Sequence, residues 1–271
     1  MKRAKSIQCK NIGLVRENAD NQSSLEVLLD INMEIHQSEF ISIIGPSGCG
    51  KSTLIDIISG FLKPTSGTAD VDGCDPVILL KDNKGHPRIS RIFQEKILFP
   101  WLTVTQNIIF GMKRNNFSKS LIQSRLSEII HKVGLSEYAE YYPHQLSGGM
   151  KQRVAIARAL SVDSDYILMD EPFTALDYQT RKSMHDFLLY IWKEFDKTII
   201  LITHDINEAI LLSDRILLMS SIPSTITEEM TINMPRPRDE TCVTFNNYKK
   251  RIIEHLERFS VTPTTHYTPT P

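Results

Sequence analysis

Nine consecutive residues early in the chain have the pattern of a loop that binds phosphate. They are Gly45, Pro46, Ser47, Gly48, Cys49, Gly50, Lys51, Ser52 and Thr53, and they fit G-x-x-x-x-G-K-[ST]. Glycines allow backbone amides to face a phosphate without a side-chain clash, and Lys51 would bridge the β- and γ-phosphates. Ser52 offers the kind of hard oxygen ligand that Mg²⁺ prefers. The pattern predicts a nucleotide site with magnesium; the alternative is a glycine-rich turn with a surface lysine.

Two acidic residues follow a short apolar run in the second half of the chain. Residues 166–169 read as a buried strand, and Asp170 and Glu171 come directly after it. Because the carboxyl ends of parallel strands face the ligand crevice, Asp170 is placed to hold the water shell of Mg²⁺. Glu171 is placed to orient or deprotonate an attacking water. The alternative is that both acids cap a helix starting at Pro172.

The elements around these residues alternate between strands and helices. Strands are predicted over 7–15, 25–35, 40–44, 68–72, 88–93, 166–169, 198–203 and 215–219, with a hairpin between the first two. Helical spacing begins after Gly50, dominates 103–160, and recurs over 180–195 and 206–212. Residues 80–87 read as a charged loop. This alternation predicts an α/β fold in which a parallel sheet is covered on both faces.

Composition limits the classes of function. The 271 residues include 31 basic and 32 acidic side chains, for a net charge of −1. This balance gives no electrostatic case for a nucleic acid as the main partner, because such binding needs a basic face. No uncharged run reaches the ~20 apolar residues of a spanning helix, and no signal peptide is recognisable. The four cysteines lack C-x-x-C spacing, so we predict free thiols and no zinc site.

A third motif, Leu146-Ser147-Gly148-Gly149-Met150, opens another helical pattern. A helix N-terminus with glycines and a serine hydroxyl is a second candidate anion site. Here the sequence resembles the ATP-binding cassette (ABC) ATPases, whose signature is LSGGQ-like. The resemblance runs from about residue 7 to residue 219 and includes, in order, the phosphate loop, Gln94, the LSGGM motif, Asp170 with Glu171, Asp177 and His204.

The resemblance implies a fold and a domain layout. The fold would be a P-loop NTPase: a RecA-like α/β core with an N-terminal antiparallel β subdomain and an inserted α-helical subdomain at about 96–162. The ATPase domain would cover 1–230. A C-terminal extension, 231–271, would contain one helix with an apolar face and a frayed tail. The implied ligands are ATP and Mg²⁺.

The resemblance also implies that two copies of the chain work together. Two subunits would sandwich two ATP molecules head to tail, and Asp177 would lie at the dimer seam. Each ATP would bind the phosphate loop of one subunit and the signature of the other, formed by Ser147, Gly148, Gly149 and Met150.

Further catalytic roles carry over to matching positions. Besides Glu171, the catalytic residues would be Gln94, contacting Mg²⁺ and the attacking water, and His204, hydrogen-bonded to the γ-phosphate. For His204 the alternative is an ordinary polar residue at a strand end. The metal ligands would be Ser52, Gln94 and Asp170, the last partly through water.

Three segments look like those of the bacterial nitrate, sulfonate and taurine importer ATPases: residues 99–104 after Gln94, residues 170–173, and residues 235–239. Trp101 would either line a groove for a helix of the membrane subunit or pack as an ordinary core aromatic. The family's usual adenine-stacking aromatic is missing, since no aromatic residue precedes Phe40. Arg16 could stack on the base instead, through its guanidinium plane.

The leading hypothesis is an ATP-hydrolysing subunit of a bacterial importer for nitrate, sulfonate, taurine or a similar small solute, driven by ATP-dependent dimer closure. Its partners would be a second copy of itself, integral membrane permease subunits and a separate solute-binding protein, with no nucleic acid. It would lie peripherally on the cytoplasmic side of the plasma (inner) membrane. The alternatives are a soluble cassette ATPase of DNA repair or translation, a non-hydrolysing ATP-gated module, and an exporter subunit.

Overall fold

The structure, a computed structural model, describes residues 5–17, 24–81, 87–94 and 98–259. Its strands are β1 (Ser6–Glu17), β2 (Ser24–His36), β3 (Phe40–Ile44), β4 (Ser66–Val71), β5 (Ile89–Ile92), β6 (Tyr166–Asp170), β7 (Thr198–Ile202), β8 (Arg215–Met219) and β9 (Ile226–Thr231). Its helices are α1 (Lys51–Ile58), α2 (Pro76–Lys81), α3 (Val104–Arg114), α4 (Lys119–Lys132), α5 (Gly148–Ser161), α6 (Tyr178–Phe195), α7 (Ile206–Leu212) and α8 (Val243–Phe259).

A larger sheet has the strand order β5-β6-β7-β3-β8-β9. The first five strands in this order pair in parallel, and β9 is antiparallel to β8. The predicted parallel sheet is therefore confirmed. Because β3, β6 and β7 are neighbours in this order, the residues that follow them lie at one edge of the sheet.

Both faces of this sheet are buried, as alternate residues of β6 show. Ile167 and Met169 pack in a core with α5 and α6, whereas Tyr166 and Leu168 pack in a second core with α1 and the smaller sheet. All five residues of β6 are buried, which explains why the strand reads as a continuous apolar run. The apolar side chains of Ile167, Leu168 and Met169 each stabilise the fold by about 1.5–3 kcal/mol relative to an exposed one.

The smaller sheet is antiparallel, with the order β2-β1-β4. It confirms the predicted N-terminal β subdomain and the pairing of its first two strands. Their connection, residues 18–23, lies outside the described residues. Ile7, Ile12 and Leu28 from this sheet are fully buried against α1.

Helices α3, α4 and α5 lie between β5 and β6 in the chain and form the predicted helical lobe. Thr103 begins α3 with a capping box, in which its side chain accepts from the Gln106 amide and its own amide donates to Gln106. Ser118 caps α4, and Gly134 follows that helix at a φ of +69°. A residue after a helix often adopts this left-handed conformation, which glycine accepts without strain.

Two predicted boundaries are wrong. Residues 80 and 81 belong to α2 rather than to a charged loop, because Asp75 accepts a hydrogen bond from the Val77 amide and so caps this short helix. Residues 82–86 lie outside the described residues. Helix α6 begins at Tyr178, two residues before the predicted start at 180, because Asp177 caps it.

The C-terminal segment is attached to the core by arginines. Arg238 is buried and donates to the carbonyl oxygens of Met234 and Ser213 at 3.1 and 2.6 Å. Burial, together with the charge of Arg236, lowers the pKa of Arg238 to about 10. Helix α8 packs Phe245 and Ile252 into a core with α7. The division of the chain at residue 230 stays a prediction, and the predicted tail, 261–271, lies outside the described residues.

None of the helices in the described part of the chain is both long and apolar enough to cross a lipid bilayer. Cys9 and Cys49 are buried free thiols, and Cys74 and Cys242 are also unbridged, as predicted. Burial raises the pKa of the Cys9 thiol to about 12, so this thiol stays protonated.

Candidate active site

The glycine-rich loop connects β3 to α1 at the carboxyl edge of the larger sheet. Gly48 and Gly50 have φ values of +77° and +104°, which favour glycine. A Cβ on Gly50 would also approach Val27 and Leu28 at 3.0 Å. The predicted strand, loop and helix are all present, and this context is the one that a phosphate-binding loop requires.

Lys51 lies at the first position of α1 and is only 7% exposed. Its ammonium donates to the carbonyl oxygens of Gly45 and Pro46 at 2.8 and 2.9 Å. It forms no ion pair with a carboxylate among the described residues. A buried ammonium without a counter-ion is costly, so the loop is suited to an anion such as phosphate. The alternative of a surface lysine is wrong.

Glu171 brings together residues from three segments of the chain. Its Oε2 atom accepts a hydrogen bond from Gln94 Nε2 at 3.3 Å and lies 3.1 Å from His204 Nδ1. Thr174 Oγ1 is 3.2 Å from the same oxygen. The three residues predicted to be catalytic, Gln94, Glu171 and His204, therefore meet at one carboxylate. Thr174 was not predicted, and its position three residues after Glu171 gave no signal in the sequence.

The backbone at Glu171 is unusual. Its φ is +45°, a left-handed value that a non-glycine residue rarely adopts, and its amide donates to the Ile202 carbonyl at 2.9 Å. No helix starts at Pro172, since turns follow and α6 begins only at Tyr178. The alternative that the two acids cap a helix is therefore wrong. Left-handed backbone of this kind concentrates at functional sites.

Asp170 ends β6, and its side chain is 11% exposed. Its Oδ2 atom lies 3.4 Å from Arg91 Nη2, and Arg91 also forms an ion pair with Asp56 of α1. Arg91 and Asp56 were not predicted as site residues. The signal that could have found Arg91 is a charged residue inside an otherwise apolar strand next to Gln94.

The LSGGM motif forms the N-terminus of α5. Ser147 caps the helix and accepts from the Met150 amide at 3.3 Å. Gly149 is close-packed, since a Cβ there would lie 2.7 Å from Thr180 Cγ2 of α6. Gly148 is exposed. Among the described residues, no hydrogen bond or ion pair connects this motif to the phosphate loop of the same chain.

Asp177 lies at the start of α6, the helix whose Thr180 packs close to Gly149 of the LSGGM motif. Its Oδ1 atom accepts from the Thr180 amide at 3.0 Å. Hydrogen bonds from Thr180 hold the pKa of Asp177 below its usual range. The carboxylate is therefore ionised at neutral pH, on the surface of the protein.

Arg16, near the end of β1, reaches the first turn of α1. Its Nη2 atom is 3.4 Å from Thr53 Oγ1, next to Ser52. This contact places the guanidinium beside the phosphate loop.

The geometry agrees with a comparison of whole sequences. The family profile described as ABC transporter matches residues 28–174, a range that contains the phosphate loop, Gln94, the LSGGM motif and both acids. The chain belongs to the ABC transporter family. It is an ATP-binding ATPase, as its phosphate loop and LSGGM motif predicted.

Similar proteins include ATP-binding proteins of importers. The nitrate import protein NrtD of Synechocystis sp. is 45% identical over 79% of this chain and 78% of its own length. The aliphatic sulfonates import protein SsuB of Bacillus cereus is 40% identical over 87% and 90% of the two chains. The taurine import protein TauB of Jannaschia sp. is 41% identical over 81% and 80%. The predicted resemblance to nitrate, sulfonate and taurine importer ATPases is confirmed.

A solved ABC cassette shares the fold. The dimeric, post-hydrolysis structure of the cassette MJ0796, bound to ADP and Pi, aligns with a TM-score of 0.70 and 30% identity. The alignment covers 84% of this chain and 100% of that one. The predicted P-loop NTPase fold is confirmed by this similarity together with the two sheets.

The site of this ABC ATPase fits a magnesium-bound nucleotide. The buried Lys51 ammonium and the loop amides suit the phosphates, while Ser52, Asp170 and Gln94 offer hard oxygen atoms. No group of three or more His, Cys, Asp or Glu side chains that could hold a metal occurs in the described part of the chain. The oxygen atoms of serine, aspartate and glutamine suit Mg²⁺, which usually keeps several waters and binds phosphates with only one or two protein ligands.

Proposed function

We propose that this ABC ATPase powers uptake of a small solute, such as nitrate, a sulfonate or taurine, as the nucleotide-binding subunit of a bacterial import complex. Similarity to three import ATP-binding proteins supports the direction of transport and the class of solute. In this proposal the chain lies peripherally on the cytoplasmic side of the inner membrane, with permease subunits and a solute-binding protein as partners.

The observation that carries the catalytic proposal is the meeting of Gln94 and His204 at Glu171. In this proposal, Glu171 accepts the proton of the attacking water, and Gln94 holds that water in line with the γ-phosphate. His204 donates a hydrogen bond to the γ-phosphate. Bound Mg²⁺, held by Ser52, Gln94 and, through water, Asp170, would neutralise charge on the phosphates.

The signature motif supports a dimer as the active unit. Ser147 and Gly148 are exposed at a helix N-terminus, which attracts anions, yet within the described part of the chain no hydrogen bond or ion pair joins them to their own phosphate loop. We propose that they contact the ATP bound by a second copy of the chain. Met150 would belong to the same contact surface, and Asp177 would lie at the dimer interface. ATP would then join the two subunits, and its hydrolysis would release them.

An aromatic groove beside Gln94 supports the permease as partner. Phe93, Phe99 and Phe110 line a cavity of about 330 Å³, and the exposed ring of Trp101 lies 5.8 Å from Phe99. Trp101 is 69% exposed, so it is not a core aromatic. In this proposal a helix of the membrane subunit packs against these rings, because Phe93, Trp101 and Phe110 are all exposed.

The test of the proposed function is Glu171→Gln. ATP hydrolysis should fall about 10²–10⁴-fold, because the water loses its general base. ATP binding should remain, and the variant should form a stable dimer with ATP, measured by light scattering. The control is Glu240→Gln, which changes an exposed carboxylate in the C-terminal segment. Near-normal hydrolysis by Glu171→Gln would contradict the assignment.

A further inference from the structure

Arg91 lies between two carboxylates that belong to different elements. Its guanidinium forms an ion pair with Asp56 of α1, and its Nη2 atom is 3.4 Å from Asp170 Oδ2 at the end of β6. The Arg91 side chain is 10% exposed, whereas that of Asp56 is 32% exposed. Register places Arg91 opposite Leu168, so it faces α1 together with Asp170.

Charge is the reason this arrangement matters. A buried carboxylate needs a compensating cation, and Arg91 is the cation paired with Asp170 among the described residues. Yet Asp170 is also the acid proposed to hold the water shell of Mg²⁺. Two cations would then compete for one carboxylate.

The surroundings of Arg91 provide for its release. Asp56 pairs with it independently of Asp170, and the Phe93 ring lies 4.7 Å from the guanidinium carbon. Arg91 Nε is buried without a hydrogen-bond partner, so the side chain is not fixed by a full set of hydrogen bonds. A guanidinium with these alternative partners can give up Asp170 without becoming an unpaired buried charge.

We propose that Arg91 is a positioning residue that holds Asp170 while Mg²⁺ is absent. When Mg²⁺-nucleotide binds, Arg91 gives up Asp170 and keeps its contacts with Asp56 and Phe93. The proposal rests on the proposed function of Asp170. It makes Arg91 a determinant of metal affinity: the more strongly Arg91 binds Asp170, the higher the Mg²⁺ concentration that the site requires.

The test uses two substitutions with opposite expected effects. Arg91→Met removes the competing cation. The Mg²⁺ concentration at which the tightening of ADP binding is half-maximal should therefore fall about fivefold, the change in affinity expected from the loss of one ion pair. Asp56→Asn removes the other carboxylate, so Arg91 binds Asp170 more fully and the midpoint should rise by a similar factor. The double variant should behave like Arg91→Met, because the competing cation is gone.

The measurement is calorimetric titration of the full chain with ADP, at a series of Mg²⁺ concentrations and in EDTA. ADP avoids hydrolysis, and the EDTA arm separates effects on the metal from effects on the nucleotide. Arg114→Met is the matched control, since Arg114 is an exposed arginine at the neighbouring cavity of about 490 Å³. Its midpoint should equal that of the wild type.

A merely structural role for Arg91 would weaken Mg²⁺-dependent binding in both single variants. That result, or unmoved midpoints, would overturn the proposal. If Arg91→Met fails to fold, Arg91→Gln, which also removes the positive charge, takes its place: its midpoint should fall, and a rise or no change overturns the proposal. A wild type that binds no ADP would instead overturn the proposed function itself.

Discussion

Glu171 has its orientation set by neighbours from distant parts of the chain. Gln94 and His204 are 77 and 33 positions away in sequence, yet both reach its Oε2 atom. The left-handed backbone at Glu171 turns the chain immediately after Asp170, so the two adjacent acids have different partners. The two adjacent acids therefore have different surroundings, as the two roles proposed for them require.

Arg16 gives a prediction about the choice of base. A guanidinium plane stacks on any base, and no aromatic side chain precedes Phe40 to favour adenine. We expect ATP and GTP to bind with affinities within about fivefold of each other, because stacking alone gives only modest base selectivity. Arg16→Ala should weaken both to a similar degree, measured by competition with a fluorescent nucleotide.

The control for this prediction is Lys10→Ala, which removes a positive charge from an exposed position earlier on β1. A strong preference of the wild type for ATP would contradict the prediction. It would indicate that another part of the assembly supplies an aromatic ring.

The sequence motifs indicated some of the residues that meet in the candidate site, but not the charges that pair beside them. Lys51, Glu171 and Gln94 have the types and spacings that phosphate and water chemistry would require in the proposed site. Arg91 and Asp56 are 35 positions apart, and their pairing depends on how β5 packs against α1. Nothing in the spacing of these two charges indicates that contact, so it became visible only in three dimensions.

Asp165, which precedes β6, connects several elements through charge. It pairs with Lys5 at 2.6 Å and with Arg88 at 3.0 Å, and so joins the start of β1 and the segment before β5 to β6. Burial would raise the pKa of Asp165, but the hydrogen bonds and charges of Lys5 and Arg88 outweigh it and lower the pKa. Because the folded pKa is below the unfolded value, this pairing stabilises the protein above pH ~4 and is lost below it.

Asp165→Asn should therefore lower the free energy of unfolding at pH 7. The difference from the wild type should shrink as the pH falls through the folded pKa, where the wild-type carboxyl is protonated as well. Urea unfolding at pH 7, 5 and 3 measures this. Asp186→Asn, at an exposed position of α6, is the control and should change little at any pH. A pH-independent difference for Asp165→Asn would contradict the electrostatic explanation.

At the scale of elements, most strands were predictable because the spacing of apolar residues along the chain follows the burial of the strand faces. A fully buried strand such as β6 reads as an apolar run, and β1 and β2 alternate because one of their faces is exposed. Helix α2 was missed because it has six residues and precedes a charged stretch. A start signal that could have found it is Asp75 followed by Pro76, since proline is common at the first position of a helix.

At the scale of the whole molecule, the proposed dimer predicts complementation between two defective chains. Lys51→Ala removes the phosphate ligand of one site, and Gly148→Asp places a negative charge where the partner's γ-phosphate would bind. Gly148 is preferable to Gly149, where a side chain would meet Thr180 at 2.7 Å. In a mixed dimer, one composite site has both defects and the other has neither.

Mixing the two variants should therefore restore trapping of one ATP per mixed dimer, whereas neither variant alone should trap any. Nucleotide retained after gel filtration measures this. The control is a mixture of two differently tagged copies of Lys51→Ala, which contains no intact site. Failure of the mixed dimer to retain ATP, when the wild type does, would contradict the arrangement in which each site is shared between subunits.

The position of β3 in the sheet has a consequence for synthesis on the ribosome. The strand is complete at Ile44, but its hydrogen-bonded neighbours are β7 and β8, which end at Ile202 and Met219. A nascent chain that stops between these points can pair β1 with β2, yet it cannot support the glycine-rich loop between two strands. The loop therefore gains both strands that flank β3 only after about four-fifths of the chain has been translated.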